Sequence, residues 1–241
     1  MAGKKVYIVM PAYRAASTIS SVFERIPRRV IRTAKIIVVE DGSTDNTLEV
    51  INKLRKKYRN IKLIVHPRNK GYGAAQKTGF SAAVKAEADV AVLLHSDGQY
   101  PPELLQEMIR PIASGEADIV TGSRILGKKA LGGGMPLYKY LGNRFLTALE
   151  NLSFGLNISE YHTGYIAYSR KALTTIPFHR LNDTYHFDGQ MILVGSKKKL
   201  RIKEIPIPTR YAEEKSHLNP VTYGFEVLGV IVKNWLGRYD F

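Results

Sequence analysis

The chain has 241 residues, 44% of them hydrophobic and 24% charged, a composition that fits a folded globular protein and excludes disorder, collagen and coiled coil. It contains no cysteine, which removes disulfides, thiolate metal centres, iron–sulfur clusters and cysteine nucleophiles and leaves oxygen or imidazole ligands for any metal. Its 36 Lys and Arg against 21 Asp and Glu give a net charge of +15. That sign favours anionic partners such as phosphorylated small molecules, lipid headgroups or nucleic acid.

The first half alternates two kinds of segment. Residues 6–10, 36–39, 61–65 and 90–94 are short, β-branched or aliphatic runs, the pattern of strands covered on both faces. Helical stretches are expected between them at 18–29, 45–58 and 74–86. In 45–58, Leu48, Ile51, Leu54 and Tyr58 form one apolar stripe among Lys and Arg, and Ser43 or Thr44 is placed to cap it. Strand–helix alternation predicts an α/β fold with right-handed crossovers and a parallel sheet.

Ligands bind at the carboxyl ends of such strands. The segments there are Pro11-Ala12-Tyr13, Glu40-Asp41-Gly42-Ser43, His66-Pro67-Arg68-Asn69 and His95-Ser96-Asp97-Gly98-Gln99. Asp41 reads either as an acceptor for a base N–H or as an Asx turn capping the next helix. Asp97, followed by glycine and an amide, presents oxygen ligands suited to Mg2+ or Mn2+ with room for a diphosphate; the competing reading is a turn before Pro101-Pro102 opens a helix.

Further along, helices are expected at 101–112 and 136–154 and a strand at 118–123. The segment 127–134 contains Gly132-Gly133-Gly134 and is expected to be flexible. The run 202–208, with Pro206 and Pro208, reads as an edge strand. No repeat or linker interrupts the chain, so one domain over 1–241 is expected.

Taken together, the motifs resemble glycosyltransferase family 2. They are Val9-Met10-Pro11-Ala12-Tyr13, Val39-Glu40-Asp41-Gly42-Ser43-Thr44-Asp45, Asn69-Lys70-Gly71-Tyr72-Gly73-Ala74-Ala75, the Asp97 turn and Thr121-Gly122-Ser123-Arg124. Their order is most similar to the dolichyl-phosphate mannose and glucose synthase branch, and Thr163-Gly164-Tyr165, His186-Phe187-Asp188 and 203–207 continue it.

The resemblance implies a GT-A fold: a nucleotide-sugar-binding half, 1–124, merged with an acceptor-binding half, 125–241. It implies an inverting, metal-dependent transfer of a hexose from a nucleotide diphosphate sugar of the GDP-mannose or UDP-glucose type to a polyprenyl or dolichyl phosphate. By position, Pro11, Tyr13, Val39 and Asp41 would hold the nucleoside. Asp97 and Gln99 would hold Mg2+ or Mn2+, Ser96 would line the donor site, and Arg124 would meet the phosphates. Arg210, with Lys215 and Ser216, would close over donor or acceptor.

Two positions depart from the family. His95 replaces the first acid of the usual Asp-x-Asp, and is either a metal ligand in its place or a residue hydrogen-bonded at the strand end. Gln190 stands where relatives often carry an acid, leaving Asp188 as the outstanding base candidate. A hydroxyl acceptor needs a base, but a phosphate monoester arrives as an anion, so a phosphate acceptor fits better. Transfer to a saccharide hydroxyl, and a catalytically weak nucleotide-sugar binder, are the alternatives.

No segment reaches the roughly 18 apolar residues of a membrane span. The stripe Phe225, Val227, Leu228, Val230, Ile231, Trp235 and Leu236 reads as an interfacial helix or as core packing. The expected setting is cytoplasmic, at the membrane surface, without nucleic acid as a partner.

Overall fold

The computed structural model describes residues 3–127, 130–208 and 220–240. The four N-terminal apolar runs are strands: β1 Val6–Ala12, β2 Lys35–Glu40, β3 Ile61–Val65 and β4 Val90–Leu93. They pair in parallel in the order β3-β2-β1-β4, with Val9 opposite Ile37 and Leu93.

Both faces of β1, β2 and β4 are covered, whereas the edge strand β3 leaves Lys62 and Val65 exposed. Val6, Ile8, Met10, Ile36 and Val38 pack into one core, and Val9, Ile37 and Val39 into the other. Uninterrupted apolar sequence is therefore required here, since each fully buried aliphatic side chain contributes about 1.5–3 kcal/mol.

Helices α1 Ile19–Arg25 and α2 Arg28–Thr33 replace the single helix expected at 18–29. Pro27, at the start of α2, separates them, because it has no N–H to continue the first helix and its ring restricts Ile26 to extended backbone. Helix α3, Thr47–Lys57, starts later than expected. The side chain that supports its first turn belongs to Asp45, which accepts from Thr47 N at 3.2 Å, rather than to Ser43 or Thr44. Helix α4, Tyr72–Lys85, lies against β1 and β2; a Cβ at Gly79 would sit 2.3 Å from Val9 Cγ1, so only glycine permits this approach.

In the second half, a 3₁₀ turn at Pro102–Leu104 leads into α5 Leu105–Ala113, then β5 Ile119–Ser123 and α6 Leu137–Phe154. Part of the glycine-rich segment is folded back: Ala130 and Met135 are buried with Ile125.

The sheet is mostly parallel, as expected, with one strand reversed. Strand β6, Ile166–Ser169, runs antiparallel to both β4 and β5, and β7, Ile202–Pro206, forms the edge beside β5. The sheet order is β3-β2-β1-β4-β6-β5-β7. Helices α7 Arg170–Thr175, α8 Phe187–Lys197 and α9 Pro220–Trp235 complete the described residues.

Connections leave β1 toward β2 on one side and return from β3 to β4 on the other. The crevice at the carboxyl ends of β1 and β4 is thus the switch point where open α/β sheets bind ligands.

Candidate active site

At that crevice the strand tips are tied together. Asp41 N donates to Ala12 O at 2.9 Å, Arg14 N to Ser43 Oγ at 3.1 Å, and Ser96 Oγ to Pro11 O at 2.9 Å. Asp41 and the Asp97 turn therefore both adjoin the end of β1.

Asp41 is buried. Its Oδ1 accepts from Lys70 N at 3.0 Å and lies 2.6 Å from His66 Nδ1, while Oδ2 accepts from Gly71 N at 3.0 Å. His66 Nε2 continues to Thr78 Oγ1 at 3.0 Å. The carboxylate thus clamps the loop entering α4. Gly42 makes the clamp possible: its φ is +65°, and a Cβ there would lie 2.3 Å from the Arg68 carbonyl carbon.

Tyr13 is exposed, with the Arg14 guanidinium over its ring, whereas the Val39 side chain is fully buried in the core. Pro11 is partly buried, and the Ser96 hydroxyl is occupied by Pro11 O.

The Asp97 turn opens to solvent. Asp97 Oδ1 accepts from Gln99 N at 3.0 Å, Gln99 is exposed, and Gly98 has φ +81°. His95 Nδ1 lies 4.0 Å from Asp97 Oδ2. Among the described residues no three His, Asp or Glu side chains gather to hold a metal. The donor set is instead one imidazole, one carboxylate and the exposed Gln99 amide two residues on. That set fits a cation that keeps several outer ligands.

Behind the turn runs a polar chain from half-buried His95 and Tyr72 to buried Asp188. His95 Nε2 is 2.9 Å from Tyr72 Oη, and Tyr72 donates to Asp188 Oδ2 in a short hydrogen bond. Burial pushes the Asp188 carboxyl up to about 7, with the Tyr72 and Gln76 side chains pulling it back. Burial also raises the Tyr72 phenol well above its ordinary range and lowers the His95 imidazole, against the pull of Asp97. Gln190 is buried and accepts from Asn182 N at 2.9 Å, a role in holding the loop before α8.

Arg124 is held rather than free. Its Nε donates to Glu160 Oε1 at 2.9 Å, its backbone N to Glu160 Oε2 at 2.7 Å, and a terminal nitrogen to His162 O at 2.6 Å. Glu160 is fully buried and also accepts from Asn143 Nδ2 at 2.9 Å. Arg210, Lys215 and Ser216 lie outside the described residues.

The structure thus brings Pro11, Asp41, His95, Ser96, Asp97 and Asp188 into one neighbourhood. Sequence reasoning gave no role to Tyr72, Tyr100 or Glu160. Tyr72 stood inside a quoted motif, but nothing local signals a hydroxyl reaching a carboxylate 116 residues away.

The family model described as Glycosyl transferase family 2 matches residues 7–176. A UDP-N-acetylglucosamine–dolichyl-phosphate N-acetylglucosaminyltransferase of Methanococcus voltae is 32% identical, covering 99% of each chain. A dolichyl-phosphate β-glucosyltransferase of Trichomonas vaginalis is 26% identical over 83% of this chain and 62% of its own. A glucosyl-3-phosphoglycerate synthase from Mycobacterium tuberculosis, solved with Mn2+, UDP-glucose and phosphoglyceric acid, superposes with a TM-score of 0.70 at 21% identity. The match covers 99% of this chain and 80% of that one and gives the fold, GT-A.

Proposed function

The chain belongs to glycosyl transferase family 2 and transfers sugars, and from that premise we propose that it moves a sugar from a nucleoside diphosphate donor to a polyprenyl phosphate. The observation that carries this reading is the meeting of the β1, β2 and β4 tips, which sets Asp41 and the Asp97 turn beside one strand end. The full-length likeness to a dolichyl-phosphate transferase named for a UDP-sugar supports the acceptor class and makes a UDP-sugar the first donor to test.

Each part has its task. Pro11, Tyr13, Val39 and Asp41 shape the nucleoside end, Val39 by fixing the strand and Asp41 by holding the Lys70–Gly71 backbone. Ser96 ties the Asp97 turn to β1. His95, Asp97 and Gln99 would hold Mg2+ or Mn2+ at the diphosphate; when bound, the ion neutralises charge on the departing nucleotide. Arg124, locked by Glu160, fixes positive charge near the acceptor half, with Arg210 and Lys215 proposed to add more. A phosphate monoester attacks as an anion, so no side chain need remove its proton.

The acceptor implies a membrane surface, and two helices supply apolar area for one. Leu137, Tyr138, Leu141, Phe145 and Leu152 of α6 are exposed, as are Val221, Phe225, Val232 and Trp235 of α9 and Leu236 just after it. Exposed Arg144, Lys233 and Arg238 accompany them, as binding at an anionic interface requires. No helix of the described residues is long and apolar enough to cross a membrane.

The test is a thermal-shift screen of UDP and GDP with Mn2+ or Mg2+, followed by transfer from the matching labelled sugar nucleotide to polyprenyl phosphate in detergent. One nucleotide should stabilise the chain only with a cation. Absence of stabilisation by either, or transfer to a sugar hydroxyl but not to the lipid phosphate, would refute the proposal. The second reading, a hydroxyl acceptor with Asp188 as base, is favoured by a carboxyl poised at about 7. It requires an accessible Asp188, which is 4% exposed.

A further inference from the structure

We propose that Tyr72 and Asp188 are positioning residues that fix which ring nitrogen of His95 faces the Asp97 turn, making His95 Nδ1 and the Asp97 carboxylate a mixed nitrogen–oxygen pair that prefers Mn2+ to Mg2+. This rests on the metal-assisted reading above and says how this chain works without the first acid of the usual motif.

The argument follows one hydrogen. With Asp188 ionised, the single hydroxyl hydrogen of Tyr72 goes to Asp188 Oδ2. The phenol oxygen can then only accept from its other neighbour, His95 Nε2, at 2.9 Å. Nε2 therefore carries the N–H, and a neutral imidazole has only one. The lone pair is left on Nδ1, the nitrogen 4.0 Å from Asp97 Oδ2. That separation is too long for a hydrogen bond. Adjacent ligands with bonds of about 2.1 Å lie about 3.0 Å apart, so one ion would draw the two side chains roughly 1 Å closer.

The ring is also fixed in place. Tyr100 meets it edge-on at 5.0 Å and 88°, and Tyr72 at 5.4 Å and 73°. Gly164 closes the slot, for a Cβ there would lie 2.6 Å from His95 Cε1 and 2.7 Å from Tyr72 Oη. Tyr100 Oη in turn accepts from Gly164 N at 2.7 Å. A histidine whose far nitrogen is hydrogen-bonded inside the protein is the usual arrangement of an imidazole metal ligand. Removing such a partner typically costs 10–100-fold in metal affinity. Imidazole in place of carboxylate moves preference from Mg2+ toward Mn2+.

The test uses the full chain labelled with ¹⁵N-histidine at about pH 8, where Asp188, pushed up to about 7, is mostly ionised. Long-range ¹H–¹⁵N spectra read the His95 tautomer, assigned by its loss in His95→Gln. Mn2+ binding is followed by electron paramagnetic resonance, with Mg2+ as competitor and no nucleotide. The expected result is an Nε2–H tautomer in the unchanged chain. Tyr72→Phe should mix the tautomers and weaken Mn2+ by about 10–100-fold. Should Tyr72→Phe fail to fold, His95→Gln carries the test. Its amide N–H takes the place of Nε2–H toward Tyr72 while the Nδ1 ligand is lost, so the chain should melt normally and lose its preference for Mn2+.

An Nδ1–H tautomer in the unchanged chain, or Mn2+ affinity unaltered in folded Tyr72→Phe or His95→Gln, overturns the inference. Sugar transfer to polyprenyl phosphate together with unaltered Mn2+ affinity in His95→Gln overturns it alone and leaves the proposed function standing. The expected tautomer and affinities in a chain that transfers no sugar do the reverse.

Discussion

Gly164 shows how much of this site depends on a missing side chain. Its Cα faces His95 and Tyr72 so closely that Gly164→Ala would press a methyl into both. Turnover of the donor should fall at least ~10-fold while far-ultraviolet dichroism stays unchanged, because the neighbours displaced are a ring and a hydroxyl at the crevice rather than core. Asp188 gives a second prediction at this scale. Its folded carboxyl titrates at about 7, above the ordinary 3.8, so the folded chain holds the proton more tightly than the unfolded one. The resulting penalty is absent below pH 3.8, grows as pH rises, and is complete above about 7. Asp188→Asn removes it. The variant's melting temperature, relative to the parent, should therefore climb between pH 4 and 8, by an amount worth roughly 2–4 kcal/mol; a flat difference would contradict the buried assignment. Residue types and spacing marked Asp41, Asp97 and Asp188 as candidates. The partner of Asp97 is the nearby Gln99 N, but those of Asp41 and Asp188 were not legible, because Lys70, Gly71 and Tyr72 are distant from them in sequence.

At the level of elements, the strands of the first half were readable because burial on both faces demands continuous apolar runs, and such runs are conspicuous. Helix α8 was not, since residues Phe187 to Gly195 are all buried and a helix apolar on every side shows no stripe. Strand β6 has four residues, too few for a pattern, and owes its antiparallel place to ladders with β4 and β5. The edge pair β5 and β7 is fastened by Asp118. Its carboxylate accepts from Arg201 Nε at 3.1 Å and Arg201 N at 3.0 Å, and lies 3.5 Å from Lys171 Nζ. The Arg201 hydrogen bond holds the Asp118 carboxyl at about 2, below the ordinary 3.8. Stability from this clip is thus present above pH 3.8 and lost as pH falls through about 2. Asp118→Asn should cost roughly 1–2 kcal/mol in urea unfolding at pH 7, with the gap to the parent closing near pH 2.

Across the whole molecule, charge and apolar surface act together. The stripe of α9 divides: Val227, Val230 and Ile231 are buried, whereas Phe225, Trp235 and Leu236 are exposed, and those of α6 add to the outward set. Core packing therefore accounts for only part of that stripe, and only packing against the neighbouring helices assigns each residue to a side. If this surface meets lipid, the +15 chain should co-float with phosphatidylglycerol vesicles at low salt and release as ionic strength rises. Phe145→Ser with Trp235→Ser should cut binding about 10-fold or more. Vesicle binding untouched by the pair, or a dimer that the pair disperses, would assign the face to another role. The sequence by itself determined the fold class, the places of the first four strands along the chain and the loops proposed to carry the chemistry, since periodicity and turn residues are local properties. Tertiary structure alone decided that Arg124 is tied to Glu160, that β6 reverses, and that a tyrosine links His95 to Asp188. Those facts depend on which surfaces meet when distant segments pack, and no local pattern of residues encodes a distance between them.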